Sequence, residues 1–229
     1  MIKSISYSQD SILRDIIRLY LSRSGEKGKP RRFDLDPTFG NGGFYNVIQK
    51  PRFCFDLSPG PHLAADVVKA DVRAPPLRDK SVYSIIFDPP FLAGGGKSGI
   101  MSKKYGYMEK VEDVWDLYWK ALVEFNRILK PFGTVVIKCQ DMVHGRNQYF
   151  THAVIMNYAV KLGFYPKDLF VLLSKTRPTQ WNVKTQIHAR KFHSYFWVFG
   201  KQKRSIGYVD DQESICGQRN LGPEKKDDT

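Results

Sequence analysis

The residues best placed to do chemistry are Asp88, Pro89, Pro90 and Phe91, which close a short apolar run, Ser84-Ile85-Ile86-Phe87. A run of that kind reads as a buried central strand, and the carboxyl ends of such strands are where open α/β sheets bind ligands. Asp88 can accept a hydrogen bond from an amino group. The two prolines fix a stiff turn with a free carbonyl, and Phe91 offers a face for stacking. Together they describe a clamp for a flat, amino-bearing ring, although Asp-Pro-Pro is also ordinary turn chemistry after a strand.

A second group of residues lies upstream, in Asp36-Pro37-Thr38-Phe39-Gly40-Asn41-Gly42-Gly43. An acid followed by a turn with glycines at 40, 42 and 43 lets backbone come close to a ligand where side chains would block it. The spacing is neither the dinucleotide pattern G-x-G-x-x-G nor a P-loop, which disfavours a nicotinamide or a nucleoside triphosphate. A ligand-free helix-entry turn is the plainer alternative. Two more acids stand near the ends of strand-like runs, Asp56 and Asp71. Asp56 follows Asp36 at a distance that suits an acid reaching a ribose hydroxyl pair, and it could equally cap a helix. Asp71 could accept the exocyclic amine of a bound adenine or be a plain surface carboxylate.

Charge points to the partner. The 229 residues carry a net charge of +13, and an excess of Lys and Arg on that scale suits a polyanion, with nucleic acid the leading class. Two segments concentrate it. Residues 92–110 combine glycines with Lys97, Lys103 and Lys104 in the manner of a lid. Its Gly-Lys-Ser follows the wrong strand ending to be a P-loop. Residues 174–193 carry Lys175, Arg177, Lys184, Arg190 and Lys191 with Trp181 among them, and no Asp or Glu occurs from 169 to 209. Phosphate contact with an aromatic wedge fits that composition, and a basic surface hairpin is the alternative. His188 and His193 lack metal-site spacing, and Cys54, Cys139 and Cys216 form no Cys-x-x-Cys pair, so no metal and no disulfide framework are expected. No apolar run approaches the roughly 18 residues of a membrane span and no signal-peptide pattern opens the chain, so the expectation is a soluble protein of a reducing interior.

These residues need a scaffold, and the periodicity supplies an α/β one. Helical spacing runs over 10–22 and, strongly, over 111–130, where Pro131-Phe132-Gly133 is expected to stop the helix. A short helix through Tyr45, Val47 and Ile48 and another over 149–162 complete the set. Strands are expected at 32–36, 52–56, 66–72, the run ending at Phe87, 134–139, 168–173 and 194–200. The prediction is one domain over 1–204, with a mostly parallel, Rossmann-like sheet of seven strands and helices on both faces. The polar tail 205–229 is expected to be loosely ordered.

The strand, Asp36-to-Gly43 turn, acid-tipped second and third strands, and Asp88-Pro89-Pro90-Phe91 resemble the motif series of class I S-adenosylmethionine-dependent methyltransferases. Within that group the chain resembles the amino-methyltransferases of DNA. The Asp-Pro-Pro-aromatic form is typical of adenine-N6 enzymes, whereas cytosine-N4 enzymes more often carry Ser-Pro-Pro. The likeness covers about residues 4–203, and Ser6-Tyr7-Ser8-Gln9-Asp10 is similar to the family's extra N-terminal motif. It implies S-adenosyl-L-methionine as cofactor, with Tyr7, Ser8, Asp36, Pro37, Gly40 and Gly42 toward its methionine part, Asp56 at the ribose, and Asp71 with Val72 at its adenine. It also implies methylation of adenine N6 in DNA, in the cytoplasm or nucleoid, or in a nucleus. These enzymes usually have a separate target-recognition domain, and none is evident, so specificity must come from 92–110 and 174–193 or a protein partner, or be low. Two other functions fit the same features: an RNA methyltransferase acting on an exocyclic amine of adenine or guanine, and a nucleic-acid-binding subunit that keeps the fold without catalysis.

Overall fold

The structure is a computed structural model, and it describes residues 1–21, 31–61, 66–91, 108–176 and 186–202. The apolar run before Asp88 is strand β5 (Val82–Phe87). Its side chains alternate between two cores. Ile85 and Phe87 face a helix over Val111–Ile128, whose Val114, Tyr118, Leu122 and Phe125 are fully buried, while Ile86 faces a helix over Gln9–Tyr20 through Ile12, Leu13 and Ile16. A strand covered on both faces loses the polar half of its alternation, which is why this stretch reads as continuous apolar sequence. Phe87 meets Tyr118 and Phe125 edge to face, at centroid distances of 5.8 and 5.1 Å. Burying each such ring stabilises the fold by roughly 1.5–3 kcal/mol.

In chain order the elements are β1 (Ile5–Ser6), α1 (Gln9–Tyr20), β2 (Leu35–Asp36), a 3-10 turn (Gly43–Asn46), β3 (Phe53–Asp56), β4 (Val68–Lys69), β5, α2 (Val111–Ile128), β6 (Leu129–Cys139), β7 (Met142–His144), β8 (Asn147–Tyr149), α3 (Thr151–Lys161), β9 (Phe164–Leu173) and β10 (His193–Lys201). The main sheet has the order β1-β9-β10-β6-β5-β2-β3-β4. All neighbours in it run parallel except β10, which is antiparallel to both β6 and β9. This is the expected mostly parallel, Rossmann-like α/β sheet with helices on both faces; β1 at its far edge raises the strand number from the expected seven to eight. From β2 the chain winds outward through β3 and β4, then crosses back to β5 on the other side of β2. That reversal opens a crevice beyond the carboxyl ends of β2 and β5, the position where such sheets take ligands.

Several boundaries differ from the sequence reading, each for a local reason. The ladder of β2 starts at Leu35 rather than Arg32, and just before it the Asp34 carboxylate takes the Tyr83 N–H at 2.6 Å while its backbone bonds Ser84 and Phe53. The helix expected through Ile48 is only a 3-10 turn ending at Asn46. α2 ends before Pro131 as expected, two residues short of Lys130. The helix ends at Ile128, where the N–H groups of Lys80 and Ser81 satisfy the carbonyls of Arg127 and Ile128, and Pro131-Phe132-Gly133 lies inside β6 with Phe132 at φ +64°. Tyr149 belongs to the hairpin β7–β8, turned on Gly145 and Arg146 at φ +55° and +68°, so α3 begins only at Thr151. β4 is two exposed residues of the expected 66–72, whereas β9 begins four residues before the expected 168. The tail 205–229 lies outside the described residues, and no described helix is long and apolar enough to cross a membrane.

Candidate active site

The crevice is built by register. β5 and β6 run parallel with Phe87 opposite Ile137, so the next residues along, Asp88 and Lys138, emerge side by side. Lys138 Nζ stands 3.0 Å from Asp88 Oδ2, and their side chains are 14% and 26% exposed. Phe196 of β10 is the partner of Lys138 on its other side. The ammonium therefore lies over two rings, 5.2 Å from the centroid of Phe44 and 5.7 Å from that of Phe196. Burial pushes the Asp88 carboxyl above its ordinary pKa, and Lys138 opposes that shift.

At the end of β2, Asp36 is the more deeply buried acid, with 2% exposed. Its Oδ1 accepts from the Thr38 N–H at 2.8 Å and from Thr38 Oγ1 at 3.3 Å, and its Oδ2 accepts a short hydrogen bond from the Tyr45 hydroxyl. Burial raises its pKa to about 7, further raised by Asp88 and held down by the bonds from Tyr45 and Thr38. Thr38 Oγ1 also accepts the Asp88 N–H at 3.0 Å. One polar chain thus runs from Tyr45 through Asp36, Thr38 and Asp88 to Lys138, tying the β2 end to the β5 end across the switch point. A buried network of this kind rigidifies what it connects.

The glycine turn follows. Gly40 and Gly42 have φ of +57° and +71°, a region that only glycine adopts without strain. A Cβ at Gly42 would come to 2.9 Å from Phe39 Cζ, and Phe39 is itself stacked on Tyr45. At Gly43 a Cβ would meet no atom, so the turn stands open there. Asp56 Oδ2 accepts the Gly40 N–H at 2.8 Å and holds the turn from its outer side. Asp88, Pro89, Pro90 and Phe91, with Asp36, Gly40, Gly43, Lys138 and Gln9 of α1, line one pocket of about 400 Å³. That volume suits a small organic ligand.

Other residues singled out from sequence stand elsewhere. Pro37 is buried in the turn, and Gly42 shapes it without reaching the pocket wall. Ser8 spends its hydroxyl capping α1, through the Ser11 N–H at 3.2 Å, and Tyr7 is 63% exposed with Lys175 over its ring. The second Asp56 oxygen takes the Ser58 N–H. Asp71 pairs with Arg73 at 2.6 Å, which lowers its pKa, and Val72 is buried in the core beneath α2. Asp56, Asp71 and Val72 are not on the pocket wall. Of the basic set, Lys175, Arg190 and Lys191 are described; Lys97, Lys103, Lys104, Arg177, Trp181 and Lys184 lie outside the described residues, as do residues 92–107 and 177–185 of the two segments. His188 bonds the Arg146 carbonyl and His193 the Tyr195 hydroxyl, and among the described residues no cluster of His, Cys, Asp or Glu could hold a metal ion. Cys54 and Cys139 are buried and free, with thiols pushed up by burial.

The sequence reading missed Lys138, Tyr45, Phe44 and the linking role of Thr38, and it placed Gln9 only within the N-terminal motif, without singling it out. Lys138 had a signal: it is the single charged residue in Thr-Val-Val-Ile-Lys-Cys, residues 134–139. The alternation along β6 places it on the face opposite Ile137.

No protein-family model matches the chain, and no curated protein matches it significantly. Solved structures do resemble it. A Thermus thermophilus protein provisionally named a DNA modification methylase, complexed with S-adenosyl-L-methionine, is 21% identical with a TM-score of 0.43, over 63% of this chain and 59% of that one. PvuII DNA methyltransferase, cytosine-N4-specific, is 19% identical with a TM-score of 0.42, over 56% and 45%. TrmN from Thermus thermophilus is 18% identical with a TM-score of 0.46, over 86% and 50%. The matches span about half the length of these three chains. At such identities and TM-scores the likeness lies in the arrangement of strands and helices, and no substrate follows from it.

Proposed function

We propose that this chain is an S-adenosylmethionine-dependent methyltransferase that modifies the N6 amine of adenine in DNA. The observation that carries the proposal is the convergence of Asp36 and the Asp88-Pro89-Pro90-Phe91 turn on one pocket at the sheet's switch point. The pocket suits the cofactor in three respects. Its 400 Å³ and open glycine turn leave room against bare backbone. Two carboxylates against one ammonium leave a local negative balance in a chain of net charge +13, which favours a cationic ligand. The Gln9 side of α1 closes the wall beside Asp36. Asp36, Gly40, Gly43 and Gln9 would hold the methionine part, with Asp56 for the ribose and Asp71 and Val72 for the adenine beyond the turn. When bound, the cofactor supplies a methyl group activated by a positively charged sulfur.

The chain's own residues do the rest. An adenine amine is a weak nucleophile because its lone pair is delocalised into the ring. Lys138 occupies Asp88 Oδ2, so Oδ1 is the oxygen left to accept an amine N–H. The Pro89 carbonyl takes the other. Two acceptors on one amine favour a tetrahedral nitrogen and return the lone pair to it, and the proton that must leave as the N–C bond forms is already directed at Asp88. Positioning and fixed dipoles provide the acceleration. Phe91 stacks on the base, which has to leave the duplex to reach the pocket. Lys175, Arg190 and Lys191 belong to the basic surface that would meet phosphates.

The test incubates DNA and RNA with radiolabelled cofactor and resolves the nucleosides. Label in N6-methyladenine from DNA is expected; label only in N4-methylcytosine or only in RNA overturns the assignment. Asp88→Ala should abolish transfer.

A further inference from the structure

We infer that Lys138 reads the ring nitrogen beside the amine, making the pocket selective for bases in which that nitrogen is a hydrogen-bond acceptor. The inference rests on the methyltransferase reading above and deepens it. Among the described residues the Lys138 ammonium has a single hydrogen-bond acceptor, Asp88 Oδ2 at 3.0 Å, and two aromatic faces, Phe44 and Phe196. An ammonium carries three donors and no acceptor, so N–H groups remain for a ligand. Its place is fixed by the β6 register and by the two rings, and it opens on the same pocket as Asp88 and Phe91.

Asp88 and Lys138 therefore present an acceptor beside a donor. Adenine offers the complement, N6–H beside the N1 lone pair, and cytosine offers N4–H beside N3. Guanine holds its N2 amine between N1–H, which would set a second donor against the ammonium, and the N3 lone pair, so it fits only when presented from its N3 side. A site built to hydrogen-bond a polar group rejects the analogue lacking it, because its own buried partner is then left unpaired. The clamp on the amine alone would accept any amino-bearing ring. Lys138 narrows that class to rings that present a lone-pair nitrogen beside the amine, using a residue outside the Asp-Pro-Pro-Phe motif.

The experiment compares single-turnover methyl transfer to matched oligonucleotides carrying adenine or 1-deazaadenine, in which the ring nitrogen beside the amine is C–H. Wild type and Lys138→Met are each timed on both. Deaza substitution also alters the amine's intrinsic reactivity, and dividing the wild-type preference by the variant's preference cancels that effect. The wild-type preference for adenine is expected to exceed that of Lys138→Met by about 10- to 100-fold, with Lys138→Arg, which keeps a donor, closer to wild type. Equal preferences in wild type and Lys138→Met overturn the inference. Calorimetric cofactor binding checks that each variant keeps its pocket, and where Lys138→Met is too slow to time, the same ratio is read from equilibrium binding of the two oligonucleotides. Wild type that transfers nothing to adenine overturns the parent reading, and this one with it, in an arm that needs neither variant nor analogue.

Discussion

Replacing Asp36 by asparagine perturbs the pocket with almost no change of shape. The carboxylate is all but sealed, and burial lifts its pKa from 3.8 to about 7 despite hydrogen bonds from Tyr45 and Thr38. An acid whose folded pKa lies above its unfolded value keeps its proton in the fold after the unfolded chain has lost it. Stability is then greatest in acid and falls as pH rises from about 4 to about 7, after which the loss is constant. The interval is about three pKa units, and at ~1.4 kcal/mol per unit the loss is on the order of 4 kcal/mol. Asp36→Asn keeps an oxygen for the two donors of Thr38 and removes the titration. The stability of the variant relative to wild type should therefore rise by about that amount between about pH 4.5 and pH 8. Urea unfolding without cofactor, repeated across that range, measures it. Saturating S-adenosylmethionine should narrow the gap, since a cationic ligand favours the ionised carboxylate. A difference that does not change with pH, or one that moves in favour of wild type as pH rises, would show that Asp36 is not the buried high-pKa acid this structure makes it.

Four further substitutions test other parts of the molecule. Gly42→Ala places a Cβ against Phe39 at a φ of +71° and should cost about 1–2 kcal/mol of stability together with cofactor affinity, read by denaturation and calorimetry. Tyr20→Phe removes the 2.6 Å hydrogen bond that ties α1 to Asp168 of β9 and should cost about 1–3 kcal/mol in the same unfolding assay. Lys175→Ala and Lys191→Ala should each lower the slope of log Kd against log salt for DNA by about one, equally for all sequences.

The parts legible in the sequence were those whose pattern is set locally. The stripes of α1 and α2 stand out because Ile12, Leu13 and Ile16, or Val114, Tyr118 and Phe125, must all reach one face. β5 stands out because it is buried on both sides. What could not be read depends on neighbours distant in the chain. The β7–β8 hairpin has strands of only three residues each and a Gly-Arg turn, too short for a periodicity to mark it. Pro131 marked the helix stop, but the N–H groups that satisfy the helix end come from Lys80 and Ser81, almost fifty residues earlier. Asp36 and Asp88 were visible as acids at strand ends, while their connection through the Thr38 hydroxyl is invisible until β2 and β5 are known to be adjacent. Lys138 is the clearest case. A lone lysine in an apolar strand is only an oddity in sequence, and it becomes part of the site because β6 lies next to β5 in the same register.

The central claim is that the Asp88 clamp methylates adenine N6 in DNA. Mass spectrometry of nucleosides from the DNA of cells expressing the wild type or Asp88→Ala tests it most directly. N6-methyladenine that rises with the wild type and not with Asp88→Ala is the predicted result. Equal N6-methyladenine in the two, or a rise confined to N4-methylcytosine, would contradict it.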